Sequence, residues 1–210
     1  MKLLPLSLFL FSSLATTALV GTAQAATIFE IAEGVSVFSS SVSGSSGNYY
    51  NQTFTGPGDF DSPLNPTALS NSVTGDSLGS YAWTPNAHLP TVEEAYIDLS
   101  FDTNIYNGDG ADLVLFFAGN GTRFTDGHIE EFLFSIDVGI DGSLEGEDLG
   151  VTTSTTSSIY DDDFFASYAV IDLDAFDFDQ STPLGDIRVY LGDSSMPALA
   201  AVGAYHVAAV

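Results

Sequence analysis

Residues 95–119 read AYIDLSFDTNIYNGDGADLVLFFAG, and this stretch decides the fold. Polar and apolar side chains alternate from Tyr96 to Phe101, which is the period-two pattern of a strand with one buried face. The sequence NGDG at residues 107–110 predicts a sharp turn, because its two glycines can adopt positive φ angles. Residues 113–118 form a continuous apolar run, which predicts a strand covered on both faces. The stretch therefore specifies two core strands joined by an acidic loop.

Strands are predicted along the rest of the chain as well, and no segment shows a sustained helical period. The serine- and glycine-rich tract 39–51 and the proline- and glycine-rich region 56–86 predict irregular loops. With about nine or ten short strands separated by turns, we predict an all-β fold, an antiparallel β-sandwich of jelly-roll type. The predicted strands outside the opening stretch are residues 27–32, 35–39, 132–138, 150–158, 168–173, 187–191 and 198–207.

Residues 1–25 have the features of a secretory signal peptide. Lys2 supplies the positive start, an apolar region follows, and AQA at residues 23–25 has the small-x-small pattern that signal peptidase cuts. We predict cleavage after this motif and a single β-sandwich domain over residues 26–210. A retained membrane anchor is the alternative, and it is disfavoured because the apolar region is short and interrupted.

The charge balance is strongly acidic. The sequence holds 28 aspartates and glutamates against three lysines and arginines, which gives a formal net charge of −25 at pH 7. Such a charge repels nucleic acid and anionic lipid, because binding to either needs lysine and arginine to replace counterions. It favours divalent cations and a saline or calcium-containing exterior. The chain has no cysteine, so its stability must come from packing and bound ions.

The loop within the opening stretch is rich in oxygen-bearing side chains. Calcium takes about six to eight oxygen ligands at flexible distances, and this loop can supply most of them. The spacing is not that of an EF-hand, because the glycine is misplaced and no closing glutamate follows. We predict a calcium site here, and the alternative is a solvated turn. The predicted ligands are Asp102, Asn104, Asn107, Asp109 and Asp112.

The sequence shows neither a glycosidase-like carboxylate pair nor a zinc-binding histidine pattern. The adjacent glutamates at 93–94 and 130–131 would point to opposite faces of a strand, so neither pair resembles a glycosidase dyad. The three histidines lie far apart without zinc-binding spacing, and the chain has no cysteine that could act as a nucleophile. We therefore predict that the protein is not an enzyme.

Several aromatic residues lie in or beside the predicted loops. Carbohydrate-binding proteins use exposed tyrosine and tryptophan faces against the C–H surfaces of sugars. We predict a glycan-binding platform from these residues, and the alternative is that they cover the edges of the sandwich. The candidates are Tyr49, Tyr50, Tyr81, Trp83 and Tyr106.

The segment YIDLSFDTNIYNGDGADLVLFF at residues 96–117 resembles the strand-turn-strand core of bacterial secreted surface proteins associated with exosortase sorting, the PEP-CTERM type. The likeness extends loosely over residues 65–206, and NGDGADLVLFF is its specific part. The resemblance implies a galactose-binding-like jelly roll with calcium and glycan as associated ligands. The family's sorting tail, with its Pro-Glu-Pro turn, membrane helix and terminal arginines, is not in this sequence. The chain is therefore expected either to be released or to continue past Val210.

Together these features predict a secreted, non-catalytic protein of the cell surface or extracellular matrix that binds calcium and an extracellular polysaccharide or matrix. The same features also fit a structural surface or biofilm component that self-associates through edge strands and ion bridges, without a glycan pocket. A polysaccharide-active enzyme is the third and least supported hypothesis.

Overall fold

The computed structural model of the chain describes residues 32–53, 56–59, 62–76, 80–84, 95–118, 133–144, 146–150, 152–154, 166–191 and 198–209. The predicted signal peptide and nearly all of the predicted strand 27–32 lie outside these residues. Among the helices of the described residues, none has the length and apolar character needed to cross a membrane.

The described residues form thirteen strands in two antiparallel sheets. The eight-stranded sheet has the order β10-β11-β7-β13-β5-β3-β4, with β1 pairing β13, and the five-stranded sheet has the order β2-β6-β12-β8-β9. In chain order the strands are β1 (Val37–Phe38), β2 (Ser41–Ser46), β3 (Tyr50–Thr53), β4 (Gly56–Asp59), β5 (Ser80–Trp83), β6 (Tyr96–Ser100), β7 (Leu113–Ala118), β8 (Leu133–Val138), β9 (Gly146–Gly150), β10 (Thr152–Ser154), β11 (Ala166–Ile171), β12 (Ile187–Tyr190) and β13 (Ala198–Ala204). The predicted antiparallel β-sandwich is confirmed at this level, and the jelly-roll subtype stays a prediction.

The main core lies between the two sheets and is made by the period-two alternation of the strands. The rings of Phe117 on β7 and Phe134 on β8 have their centroids 5.1 Å apart, so the two sheets pack directly on each other. Burial of these apolar side chains is the dominant favourable term in folding. Core residues from the central strands include Ile97, Leu99, Leu113, Leu115, Ile136, Ile187 and Val189.

Strand β7 is buried on both faces, as its continuous apolar run predicts. Leu113, Leu115 and Phe117 enter the main core. Val114 and Phe116 point to the other side, where they join a second apolar cluster packed against residues near the start of the described chain. That approach is close, because a Cβ added to Gly203 of β13 would lie 2.6 Å from Val35 Cγ1.

One helix, α1 (Pro66–Val73), lies in the region 56–86 that the sequence predicts to be irregular. That prediction was wrong here. The Asn65 side chain accepts a hydrogen bond from the Ala68 backbone N–H at 3.0 Å, and Pro66 occupies the first turn, where its missing N–H costs nothing. Leu69 and Val73 are buried on the inner side of the helix. Tertiary packing of one short apolar stripe therefore stabilises a helix too brief to show a sustained period.

The prediction of an irregular loop at residues 39–51 was also wrong, because most of these residues are in strands. β2 pairs with β6 along its length, and its side chains alternate between exposed and half-buried positions. A serine- and glycine-rich tract has little apolar alternation, so its strand character comes from pairing with β6 rather than from its own propensity.

Candidate functional site

Polar and aromatic side chains from two paired strands meet on the outer face of the five-stranded sheet. Because Ile97 and Leu99 fill the core, the alternate side chains of β6 point outward. Strand β12 pairs with β6 so that Tyr190 lies opposite Tyr96 and Arg188 lies opposite Asp98. We call these four residues the Tyr-Arg-Asp face. The alternation of polar and apolar residues along β6 therefore produces half of this surface, and β12 supplies the other half.

Arg188 and Asp98 form a two-pronged ion pair. Arg188 Nε donates to Asp98 Oδ1 at 2.6 Å and Nη2 donates to Oδ2 at 2.9 Å, so the planes of the two groups are matched. The side chains are 20% and 9% exposed, which keeps the pair at the boundary between sheet and solvent. The hydrogen bonds to Asp98 raise the pKa of Arg188 above its already high ordinary value. The pair therefore has no net charge and a fixed geometry.

Two tyrosine rings hold the guanidinium in place. The Arg188 Cζ atom lies 3.8 Å from the centroid of the Tyr96 ring and 5.8 Å from that of Tyr190. The two rings meet edge to face, with centroids 5.9 Å apart and an interplanar angle of 66°. Stacking on an aromatic face favours the cation electrostatically, and an arginine packed in this way loses little further freedom on binding a ligand. Both tyrosines remain half-buried, so part of each phenol is open to solvent.

The surroundings of the Tyr-Arg-Asp face provide further polar groups and a reason for one glycine. Gly44 of β2 pairs with Asp98, and a Cβ at this position would lie 2.5 Å from Asp98 Oδ2. Only glycine leaves room for the carboxylate in this arrangement. At the neighbouring end of the sheet, Asp186 Oδ2 accepts hydrogen bonds from Ser43 Oγ at 2.9 Å and Ser100 Oγ at 2.8 Å.

Chemically, the Tyr-Arg-Asp face suits a neutral ligand with many hydroxyl groups. The ion pair and the phenols offer donors and acceptors in fixed positions, and the exposed parts of the rings offer apolar contact. An anionic ligand is disfavoured, because Asp98 already neutralises the guanidinium and the chain carries a net charge of −25.

The turn predicted to bind calcium is instead organised by its own backbone. Both oxygens of the Asp112 carboxylate accept short hydrogen bonds, Oδ1 from the Gly108 N–H and Oδ2 from the Leu173 N–H, each at 2.6 Å. The carboxylate is fully buried, and loss of hydration raises the pKa of Asp112 although these hydrogen bonds lower it. His206 Nε2 lies 3.8 Å from Asp112 Oδ1. Asp112 therefore closes a structural junction between the turn, the segment after β11 and the end of β13.

The other predicted calcium ligands divide into one buried and three exposed side chains. Asn107 is buried, and its Nδ2 donates to Asp174 Oδ1 at 3.0 Å and to the Phe178 carbonyl at 2.9 Å. Its Oδ1 has no hydrogen-bond partner. Of the side-chain oxygens of the two buried residues, Asn107 and Asp112, this is therefore the one that no protein donor engages. The exposed ligands are Asp102, Asn104 and Asp109.

The turn does not fit a calcium site in its described geometry. Calcium needs about six to eight oxygens around one point, and most of the buried oxygens are already bonded to protein donors. Within the described ranges, no three histidine, aspartate or glutamate side chains are grouped so as to hold a metal ion. Calcium binding by this chain stays a prediction that the geometry of the turn does not support.

The aromatic residues predicted to form a platform separate into different environments. Tyr49 and Tyr81 are each 2% exposed, so the prediction that they present ring faces to a ligand was wrong. The hydroxyl of Tyr49 lies 2.9 Å from the Ser46 carbonyl and 2.8 Å from the Tyr96 carbonyl. Burial raises the pKa of Tyr49, which keeps it a neutral donor. Tyr49 directly precedes β3 and Tyr81 lies in β5, so both residues belong to the sheet rather than to open loops.

Tyr50 and Trp83 do come together. They lie opposite each other on β3 and β5, and their rings are 5.2 Å apart with an interplanar angle of 31°. Both are half-buried, so this pair keeps part of the predicted aromatic surface. Tyr106 is separate, in a bridge with Pro183.

Sequence reasoning missed the Tyr-Arg-Asp face as a site. Tyr96 and Asp98 were recognised as the polar side of a strand, but their partners lie about 90 residues later in the chain. A signal was present in the segment IRVY, where an arginine and a tyrosine alternate with two core residues in a chain almost without cations.

No family model matches the chain, and comparisons with curated proteins and with solved structures found no match. The resemblance of residues 96–117 to exosortase-associated surface proteins therefore stays a prediction.

Proposed function

We propose that the protein is a secreted, non-catalytic binding protein of the cell surface or extracellular matrix, and that its Tyr-Arg-Asp face binds a neutral glycan. One observation carries the proposal. A charge-neutral Arg188–Asp98 pair is clamped against Tyr96 and lies beside Tyr190 on the solvent side of a sheet. Sugar hydroxyls can exchange hydrogen bonds with the pair and the phenols, while sugar C–H groups pack on the exposed ring surfaces.

The non-catalytic part of the proposal is supported by the protonation chemistry. General acid catalysis at neutral pH needs a carboxyl group with a raised pKa that reaches the substrate. The pKa of Asp112 is raised, but this carboxyl is fully buried and bonded to backbone N–H groups, so it does not reach a substrate. In the Tyr-Arg-Asp face, both oxygens of Asp98 are bonded to Arg188. The secretion part is supported by the signal-like sequence of residues 1–25 and by the acidic surface.

The test is binding of the purified protein to an array of neutral and acidic glycans, followed by titration of the best neutral one. We expect Tyr190→Ala to weaken binding at least about tenfold, as at other aromatic contact residues, while the melting temperature stays close to that of the wild type. Trp83→Ala is the matched control, because it removes the other aromatic pair. No binding to neutral glycans, or loss only in Trp83→Ala, would contradict the assignment of this face.

A structural, self-associating component is the second candidate, and the edge strand β2 favours it. Among the described strands, β2 ends the five-stranded sheet, and its sequence SVSGSS has no charge or proline to block pairing with another copy. Assembly that depends on calcium, occurs without sugar binding and is prevented by Ser43→Lys would support this function instead.

A further inference from the structure

A groove with a volume of about 470 Å³ lies between two turns, and none of the four residues of the Tyr-Arg-Asp face lines it. One wall is the turn after β8, and the other is the segment that follows a 3-10 turn at Leu173–Phe176. The lining residues are Ser143, Leu144, Phe176, Asp177, Phe178, Asp179 and Thr182.

The groove exposes apolar side chains to water. Leu144 is 46% exposed and Phe176 is 36% exposed, and they are two of the four large hydrophobic residues exposed in the described part of the chain. Phe178 is half-buried and packs against the main core, so the groove has an apolar floor fixed to the fold. Exposed apolar surface concentrated in one concavity is a typical mark of an interaction site.

The same groove carries negative charge. Asp177 and Asp179 are exposed in its lining. Hydrogen bonds from the Ser181 N–H and hydroxyl, at 2.8 and 2.7 Å, lower the pKa of Asp179 and favour its ionised form. Arg188, the one lysine or arginine in the described ranges, is bonded to Asp98 on the neighbouring strand of the five-stranded sheet. The described residues therefore leave the charge of the groove without a cationic partner.

Both walls are fixed from inside the protein. On one side, Asn107 Nδ2 donates to the Phe178 carbonyl at 2.9 Å. On the other, the buried Asp137 carboxylate accepts hydrogen bonds from the N–H groups of Asp141 and Gly142 at 3.0 and 3.1 Å. A groove held open in this way costs little conformational entropy when it is filled.

We propose that this groove binds a basic segment of a partner protein, in which a lysine or arginine lies next to an apolar side chain. The apolar side chain packs between Leu144 and Phe176, and the cation pairs with Asp177 and Asp179. Charge complementarity selects this occupant. A second copy of the chain is a poor occupant, because it has three lysines and arginines in total and a net charge of −25.

The test uses three labelled decapeptides, one alternating lysine and leucine, one alternating lysine and serine, and one alternating glutamate and leucine. We expect the full-length protein to bind only the lysine-leucine peptide tightly in physiological salt, because salt screens attraction that depends on net charge alone. Phe176→Ser should weaken its binding about tenfold or more. Asp177→Asn should weaken it less, and asparagine also tolerates the left-handed backbone with φ of 61° found at this position.

Val170→Thr is the matched control, because Val170 is also an exposed apolar residue, 46% exposed like Leu144, and lies on β11, outside the groove. Its binding should equal that of the wild type. Equal binding of the two lysine peptides, or equal binding by Phe176→Ser and wild type, would overturn the proposal and indicate attraction by net charge alone. Dimerisation in sedimentation that is lost in Phe176→Ser would also overturn it, by placing a second copy in the groove.

Discussion

Asp112 joins three parts of the chain through both its side chain and its backbone. Its carboxylate accepts from Gly108 and Leu173, its N–H donates to the Ile171 carbonyl at 2.8 Å, and its carbonyl accepts from Tyr205 at 2.9 Å. The residue has no solvent exposure, so each of these groups relies on its protein partner. A side chain predicted as a metal ligand thus stabilises the loop by accepting backbone hydrogen bonds.

We expect Asp112→Asn to lower the free energy of unfolding by about 2–4 kcal/mol. An amide has one oxygen, so one of the two backbone N–H groups would face an NH₂ donor instead of an acceptor. Denaturant unfolding of wild type and variant measures the difference. Asp109→Asn, at an exposed position of the same turn, is the control and should be close to neutral. Equal stability of Asp112→Asn and wild type would refute the structural role.

The effect of Asp112→Asn should also depend on pH. The folded-state pKa of Asp112 is raised above 3.8, so between the two values the folded chain holds a proton that the unfolded chain has lost. The stability that this carboxyl contributes is therefore greatest below pH 3.8 and falls as the pH rises through the folded pKa. The destabilisation by Asp112→Asn should shrink as the pH rises, measured by unfolding at a series of pH values. Growth of the difference would mean that the hydrogen bonds lower the pKa instead.

Gly108 is required by its contact with His206. A Cβ at this position would lie 2.6 Å from Cδ2 and Cγ of the imidazole, closer than real Cβ contacts. We expect Gly108→Ala to destabilise the protein by about 1–3 kcal/mol. In a His206→Ala background the same change should cost much less, so the double-mutant cycle should show coupling between the two positions. Additive effects of the two substitutions would show that the contact does not limit position 108.

At the level of elements, α1 depends on its N-cap. Asn65→Ala removes the acceptor for the Ala68 N–H and should lower the free energy of unfolding by about 1 kcal/mol, whereas Asn65→Ser should retain most of it. Asn71→Ala is a matched control, because the same substitution inside the exposed side of the helix should be neutral or slightly stabilising. Thermal unfolding measures all three variants. Equal effects at positions 65 and 71 would argue against capping.

The strands that could be predicted are those whose own side chains carry the pattern. β6 and β7 show alternation and a continuous apolar run, and both were predicted with nearly their observed bounds. β2 was missed because its order comes from pairing with β6, which local sequence does not show. Asn65 and Pro66 form a recognisable helix start, but the helix was missed. Its eight residues are too few to show a helical period among the surrounding turn-forming residues.

The candidate site was only half visible for a similar reason. Tyr96 and Asp98 were identified as the polar side of β6, but pairing with β12 is a register decided by the two buried faces. The predicted calcium turn was visible as a turn, since NGDG demands one. Whether its oxygens face an ion or the protein's own N–H groups depends on Leu173, which lies 61 residues beyond Asp112. Local sequence cannot contain that information.

At the level of the whole molecule, the net charge of −25 is spread over a small domain with few cations. Self-repulsion of this kind destabilises the compact state, and dissolved ions relieve it by screening. A bound ion would add a different effect, because a ligand specific for the folded form stabilises it in proportion to the logarithm of its concentration above the dissociation constant. The two effects can be separated by comparing ions of equal charge.

We expect calcium and magnesium to raise the melting temperature by similar amounts at equal concentration, because screening does not distinguish them. Sodium chloride should produce the same rise at a higher concentration, and a chelator should have no effect on protein freed of divalent ions. The measurement is thermal unfolding across a concentration series of each salt. A calcium effect that saturates at low concentration and exceeds that of magnesium would instead establish a specific site, since calcium and magnesium differ in preferred ligand number and distance. Loss of that saturating effect in Asp109→Asn would then assign the ion to the turn predicted from the sequence, and its persistence would assign the ion elsewhere in the chain.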